Sequence, residues 1–225
     1  MLKTIFGIDG SFTGFMEKIA DLFLVSILWI ICSLPIVTIV LSTSALYYSV
    51  VKCVRRERGT ATHEFIHFIG ENWKQGLKLG AVYLILGALA ALNIYAVFQM
   101  ERGSVLFRVY SIESIWIGIC FIFVSIYLSP LFSRFEYTTI ENIKMSLFMS
   151  WKHIFSSLLF SIIAAVFGYL TVRFIFLLVI IPGLFVFILS FRMEKIMLKY
   201  MLEPKEGENL SWYYDEKSIV QNDEK

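Results

Sequence analysis

Of 225 residues, 58% are hydrophobic and 21 are Phe, and the mean hydropathy is +0.73. A soluble domain carries roughly 45–50% apolar residues, so this composition excludes a single soluble core and requires apolar surface that faces lipid. The net charge of +2 is too small for a nucleic-acid surface, and the basic residues instead flank apolar runs, where they act as topology signals.

Residues 1–21 form a short lead. Ser11 follows Asp9-Gly10 as a helix N-cap. Phe12, Phe15, Met16 and Ile19 then recur at helical spacing, which describes either an amphipathic helix on the membrane surface or an extension of the first span. Leu22–Val51 runs without a charge and exceeds the roughly 20 apolar residues needed to cross a bilayer. It is too long for the apolar region of a cleavable signal peptide. As one helix it would measure about 45 Å, so it must tilt, protrude or break. Pro35 lacks a backbone donor and disfavours helix at Leu34, which places a kink there. Ser33 and Thr38 are expected to satisfy the freed backbone groups. Beyond the kink, Thr38, Ser42, Ala45 and Ser49 form a stripe of small residues, with Thr43 and Ser44 in the same segment. Gly87 with Ala91 and Ala164 with Gly168 repeat the small-residue spacing, which serves packing within one chain or docking with a partner's spans.

Further spans are expected at 79–100, at 114–133 with Pro130 near its end, at 154–172 and at 174–191. From Ile154 to Phe191 the only charge is Arg173. The fold class is therefore all-α: a polytopic membrane bundle of about five spans, the first long and Pro-kinked, with two cytoplasmic amphipathic helices. In the first of these, Phe65, Phe68, Ile69, Asn72 and Trp73 share a face. In the second, Ile140, Ile143, Leu147, Phe148 and Trp151 do. Trp73 and Trp151 suit the headgroup level. Glu71–Leu77 also aligns with Glu141–Leu147, as a parallel repeat or as two helices with one physical task.

Residues 1–202 read as one membrane-embedded domain and 203–225 as a charged, disordered cytoplasmic tail. Lys52, Arg55, Arg56, Arg58, Lys74, Lys78, Arg134, Lys144, Lys152, Arg192, Lys195 and Lys199 fall on one side. Only Lys3, Lys18, Arg102, Arg108 and Arg173 fall on the other. With five spans, this asymmetry sets the N-terminus outside and the C-terminus in the cytoplasm.

His63-Glu64-Phe65-Ile66-His67 reads H-E-x-x-H, a pattern that can hold zinc between two helical histidines with the glutamate as general base. A third ligand would have to come from elsewhere, with Glu141 or Glu136 as candidates, and the polar face of a surface helix explains the same residues. Cys32, Cys53 and Cys120 show no C-x-x-C spacing, so they read as small apolar filler. The spans carry no mid-span Asp, Glu, Lys or Arg, which argues against an ion-coupled carrier. Asn93 reads as a helix–helix hydrogen bond. No G-x-x-x-x-G-K-[ST] loop occurs, so the chain does not power transport itself. No cofactor is implied.

Ser33-Leu34-Pro35-Ile36-Val37-Thr38 followed by Ser42-Thr43-Ser44-Ala45-Leu46-Tyr47-Tyr48 resembles the signature of the YesL-like family of bacterial membrane proteins. Glu64–Gln75 and Ser129–Glu136 resemble two further segments of that family, while Val40-Leu41 departs from its usual Gly-Ala. The resemblance implies a plasma-membrane protein of Gram-positive-type bacteria, often encoded beside sugar-uptake ABC transporters and polysaccharide-degrading enzymes. It implies no metal at the histidines and supplies no catalytic residues. The expected function is that of a non-enzymatic accessory or regulatory partner of an ABC transporter's membrane subunits. The alternatives are a passive sugar or small-solute transporter and, behind it, a membrane zinc protease.

Overall fold

At Pro35 the chain reverses rather than bends. Helix α1 (Gly10–Cys32) stops before it, a 3-10 turn (Ile36–Thr38) follows, and α2 (Ile39–Ser49) returns alongside α1. Two contacts fix the reversal: Trp29 Nε1 donates to Thr43 Oγ1 at 3.1 Å, and Lys18 Nζ lies 2.7 Å from Glu57 Oε1. In a straight helix residues 18 and 57 would stand roughly 60 Å apart. The uncharged run is thus a helical hairpin, not one kinked span. At its tip Thr38 Oγ1 donates to the carbonyls of Cys32 and Pro35, replacing backbone donors lost at the break. Ser33 does not share that task, because its Oγ is buried without a hydrogen-bond partner among the described residues.

The computed structural model describes residues 10–101 and 104–200. The tail at 203–225 lies outside them, as do the side chains of Ser11, Phe12 and Phe15; helix α1 already includes Gly10, so Ser11 is inside a helix and not its cap. After α2 come a π-helical turn (Val50–Arg55), α3 (Ala61–Phe98), α4 (Val105–Arg134), α5 (Thr139–Lys152), α6 (Ile154–Arg173), a 3-10 segment (Ile175–Val179) and α7 (Ile181–Leu198). The described residues contain no strand, in agreement with the all-α expectation.

Helix α3 runs unbroken for 38 residues, about 57 Å. The expected surface helix and the second span are one element, because no proline interrupts them and the isolated glycines are tolerated. Its first half is core: Phe65 and Phe68 are buried, with Phe68 against the rings of Tyr48 and Phe132 at 5.1 and 6.0 Å. Neither is therefore a membrane-surface side chain, whereas Trp73 is exposed. The hairpin covers α3 only to its middle. A Cβ at Gly80 would fall 2.0 Å from the Val37 carbonyl oxygen, so only glycine admits the hairpin tip here. Beyond Gly80, Val97 alone in α3 is buried.

The last helix is displaced from its expected place at 174–191. Pro182 suits the first turn of a helix, so α7 starts at Ile181 and carries Arg192, Glu194 and Lys195 within it. Among the described residues four segments are long and apolar enough to cross a bilayer: Ile36–Arg55, Ala61–Phe98, Val105–Arg134 and Ile154–Arg173. In α1, only Leu22–Cys32 remains after Asp21, about 16 Å of helix and half a hydrocarbon core.

Helix α5 shows how the packing works. A capping box starts it, with Thr138 Oγ1 facing the Glu141 N–H and Glu141 Oε2 accepting from the Thr138 N–H at 2.9 Å. Its buried face is Asn142, Ser146, Met149 and Ser150, while Ile140, Leu147 and Phe148 point outward. Small polar groups turned inward and apolar groups outward suit a helix that meets lipid. Ile143 is half-buried, and Trp151 sits between Trp116 and Phe123 at 5.1 and 6.0 Å.

Candidate functional site

Where α2, the turn after it, α4 and α7 converge, four polar side chains close on one another inside the bundle. Glu194 and Arg134 are buried almost completely, at 2% and 1% side-chain exposure. Tyr47 OH donates to Glu194 Oε1 at 2.7 Å, and Arg134 donates to the same oxygen from Nε at 3.2 Å and Nη2 at 3.0 Å. Arg56 Nη2 stands 3.7 Å from Oε2. Arg134 ends α4, where a cation also opposes the negative end of the helix dipole. Burial lowers the Arg56 guanidinium to about 10, with Glu194 opposing the shift, so it stays charged at neutral pH. A buried carboxylate persists only when paired and hydrogen-bonded, and both conditions hold.

Chemically the cluster is a clamp: it ties helices distant in sequence through one buried carboxylate. Beside it, Arg55 Nη1 donates to the Ser190 carbonyl at 3.1 Å, and its guanidinium lies 4.9 Å from the centre of the Phe191 ring. Tyr47 also borders a cavity of about 220 Å³ between α2, α4, α6 and α7, with Thr43, Ser125 and Ser129 in its wall.

The small-residue stripe faces this interior. Ser42, Ser44, Ala45 and Ser49 are fully buried, Ser44 Oγ donates to the Val40 carbonyl and Ser49 Oγ to that of Leu46, so the chain itself covers the stripe. Thr43 joins α1 through Trp29. Asn93 accepts from Ser114 Oγ across α3 and α4, the helix–helix bond its sequence position suggested.

The H-E-x-x-H residues do not converge with Glu141. The His63 and His67 rings stack at 6.0 Å, and His67 Nδ1 lies 3.3 Å from Glu71 Oε2. Glu64 instead pairs with Lys52 at 2.7 Å, and Glu141 serves the α5 cap. Among the described residues no three His, Cys, Asp or Glu side chains assemble into a group that could hold a metal ion. The aligned segments also differ: α3 continues past Leu77, whereas α5 ends before His153. Yet Gly76 and Ser146, matched in the alignment, are both buried.

The sequence missed the clamp because its partners lie 60 and 147 residues apart. Placing the fifth span at 174–191 left Glu194 outside the membrane domain's helices. A weak signal existed: Glu194 is the single acid within the Arg192–Lys199 run of bases.

The described residues, all-helical and with four segments long and apolar enough to cross a bilayer, are consistent with a helical membrane bundle. A family model described as "Protein of unknown function, DUF624" matches residues 22–94. That match takes in the second half of α1, α2, the π-helical turn and most of α3, and leaves the start of α1 and α4–α7 outside it. No curated protein and no solved structure matches the chain.

Proposed function

We propose that the chain is a YesL-like integral protein of the bacterial plasma membrane. It acts without catalysis of its own, as an accessory or regulatory partner of the membrane subunits of a carbohydrate-uptake ABC transporter. The observation that carries this reading is the bare distal half of the α3–α4 pair. The two helices meet through Tyr83–Ser125, Gly87–Phe121 and Asn93–Ser114, and leave Leu89, Leu92, Phe98, Val105 and Ile112 exposed. Between them runs an apolar groove of about 590 Å³, bordered by Gly118, where a Cβ would meet nothing within 4 Å. A small residue in an apolar groove lets a second helix approach closely. The genomic setting implied by the YesL-like resemblance names the partner class.

The basic end of the bundle faces the cytoplasm in this proposal, with Tyr200 there. The Lys18–Glu57 pair brings α1 to that same end, in place of the external N-terminus that five spans required. Affinity purification from mild detergent should recover transporter membrane subunits, and a deletion strain should take up the sugar more slowly. Recovery of no such subunit, with unchanged uptake, overturns the proposal.

A passive solute transporter is the second reading, supported by the hydroxyl-bearing cavity at Thr43, Tyr47, Ser125 and Ser129. Sugar flux into liposomes containing the purified protein separates the two. The zinc-protease reading has least support, since Glu64 and Glu141 are engaged elsewhere. Metal analysis with His67→Ala as control tests it.

A further inference from the structure

We propose that the groove between the start of α6 and the second half of α7 holds the phosphate headgroup of an anionic phospholipid. The lipid's chains then run along the apolar continuation of the same two helices. The inference needs the chain to reside in a membrane and is independent of any transporter partnership.

The groove measures about 560 Å³ and is lined by Arg55, Arg192, Lys195 and Lys199 together with His153 and Ser156. The one acid in this part of α7, Glu194, turns inward to Arg134 and Tyr47, so its charge is compensated away from the groove. Arg192 Nε donates to Ser156 Oγ at 3.1 Å, joining the two walls.

Charge alone would suit any oxyanion. The axial order of side chains is more selective. Along α7 the exposed residues run from Ile188 through Phe191 and Arg192 to Lys195 and Lys199, apolar at one end and basic at the other. On α6, Leu158, Leu159 and Ile162 continue the apolar end past Ser156. A ligand that fills both halves is anionic at one end and apolar at the other. Free phosphate would use only the basic half. Basic pockets between membrane helices recognise anionic headgroups on this principle.

The test uses the full chain reconstituted in bilayer nanodiscs, with spin-labelled phosphatidylglycerol compared against spin-labelled phosphatidylcholine. The immobilised fraction reports which headgroup is held. Phosphatidylglycerol should be preferred severalfold, and R192Q/K195Q/K199Q should reduce the preference to near unity. The equal-charge control K74Q/K78Q/K144Q should retain it. All six positions are exposed, and circular dichroism checks the fold. If the triple variant does not fold, Lys195→Gln alone should still lower the preference measurably below that of the wild type. The proposal is overturned by equal immobilisation of both lipids, or by equal loss in the control, which would reduce the effect to general surface charge. It is also overturned if millimolar inorganic phosphate abolishes the preference, which would mark a soluble oxyanion site.

Discussion

Glu194 Oε1 accepts from three donors, on Tyr47 and Arg134, and that crowding makes the clamp sensitive to single substitutions. Arg134→Ala leaves the carboxylate buried, facing Arg56 at 3.7 Å. Breaking one side of a buried pair costs about 3–5 kcal/mol, so the variant should unfold at a clearly lower temperature in detergent. The double replacement Arg134→Met with Glu194→Met should cost less than either single change, because it removes both desolvation penalties. A strictly additive loss would show that the two groups do not interact. Gly80→Ala tests packing at the hairpin tip. The added Cβ meets a backbone oxygen at 2.0 Å, which cannot rotate away, so a loss of about 1–3 kcal/mol is expected. His153 supplies a pH dependence. Burial first, then Lys152 and Lys199, hold its imidazole below the ordinary value, and Nε2 sits 2.8 Å from Tyr200 OH. The folded pKa lies below the unfolded one, so the neutral ring's contribution is present above about pH 6.5 and is lost as pH falls through the folded value. Relative to His153→Gln, the wild type should lose stability on acidification below about pH 6.5. Parallel curves for the two proteins would rule this out.

At the scale of elements, the hairpin is the feature that most changes the reading of the chain. Replacing Lys18 and Glu57 by cysteine in a background without Cys32, Cys53 and Cys120 should allow a short bifunctional thiol reagent to join them within one chain. In a continuous span the two sites stand roughly 60 Å apart, and no intramolecular product could form. Helix identity was legible where apolar runs are long, and Pro35 was a visible break. The sense of the break was not visible, because Leu22–Val51 is uncharged whether it bends or folds back. What decides it is tertiary: Gly76 and Gly80 admit Leu41 and Val37 against α3, and Trp29 finds Thr43. Helix α5 shows the same limit. Its apolar stripe was legible, but period alone cannot tell a stripe that faces lipid from one that faces the core. Here the inward face is Asn142, Ser146, Met149 and Ser150.

For the whole molecule, the hairpin alters the parity of the membrane crossings proposed for the chain. Lys18 beside Glu57 places the start of α1 at the end of the bundle where Arg55 reaches Ser190 and Arg56 reaches Glu194. From that end α3 leads away, α4 returns, α6 leads away and the segment through α7 returns, with Lys195 and Lys199 at the basic groove. In the proposed membrane orientation the crossings made by these elements are even in number, with Gly10 and Tyr200 on one side. The charge pattern favours this arrangement over an odd count. Moving Lys18 to the basic end leaves Arg108 and Arg173 as the described cations on the far side, which sharpens the asymmetry that orients membrane proteins. Reporter fusions at the two chain ends should therefore give the same cytoplasmic signal. An external signal from the N-terminal fusion alone would mean that the hairpin opens in the bilayer into a single traverse. In that case the 18–57 crosslink should fail as well, so the two measurements stand or fall together.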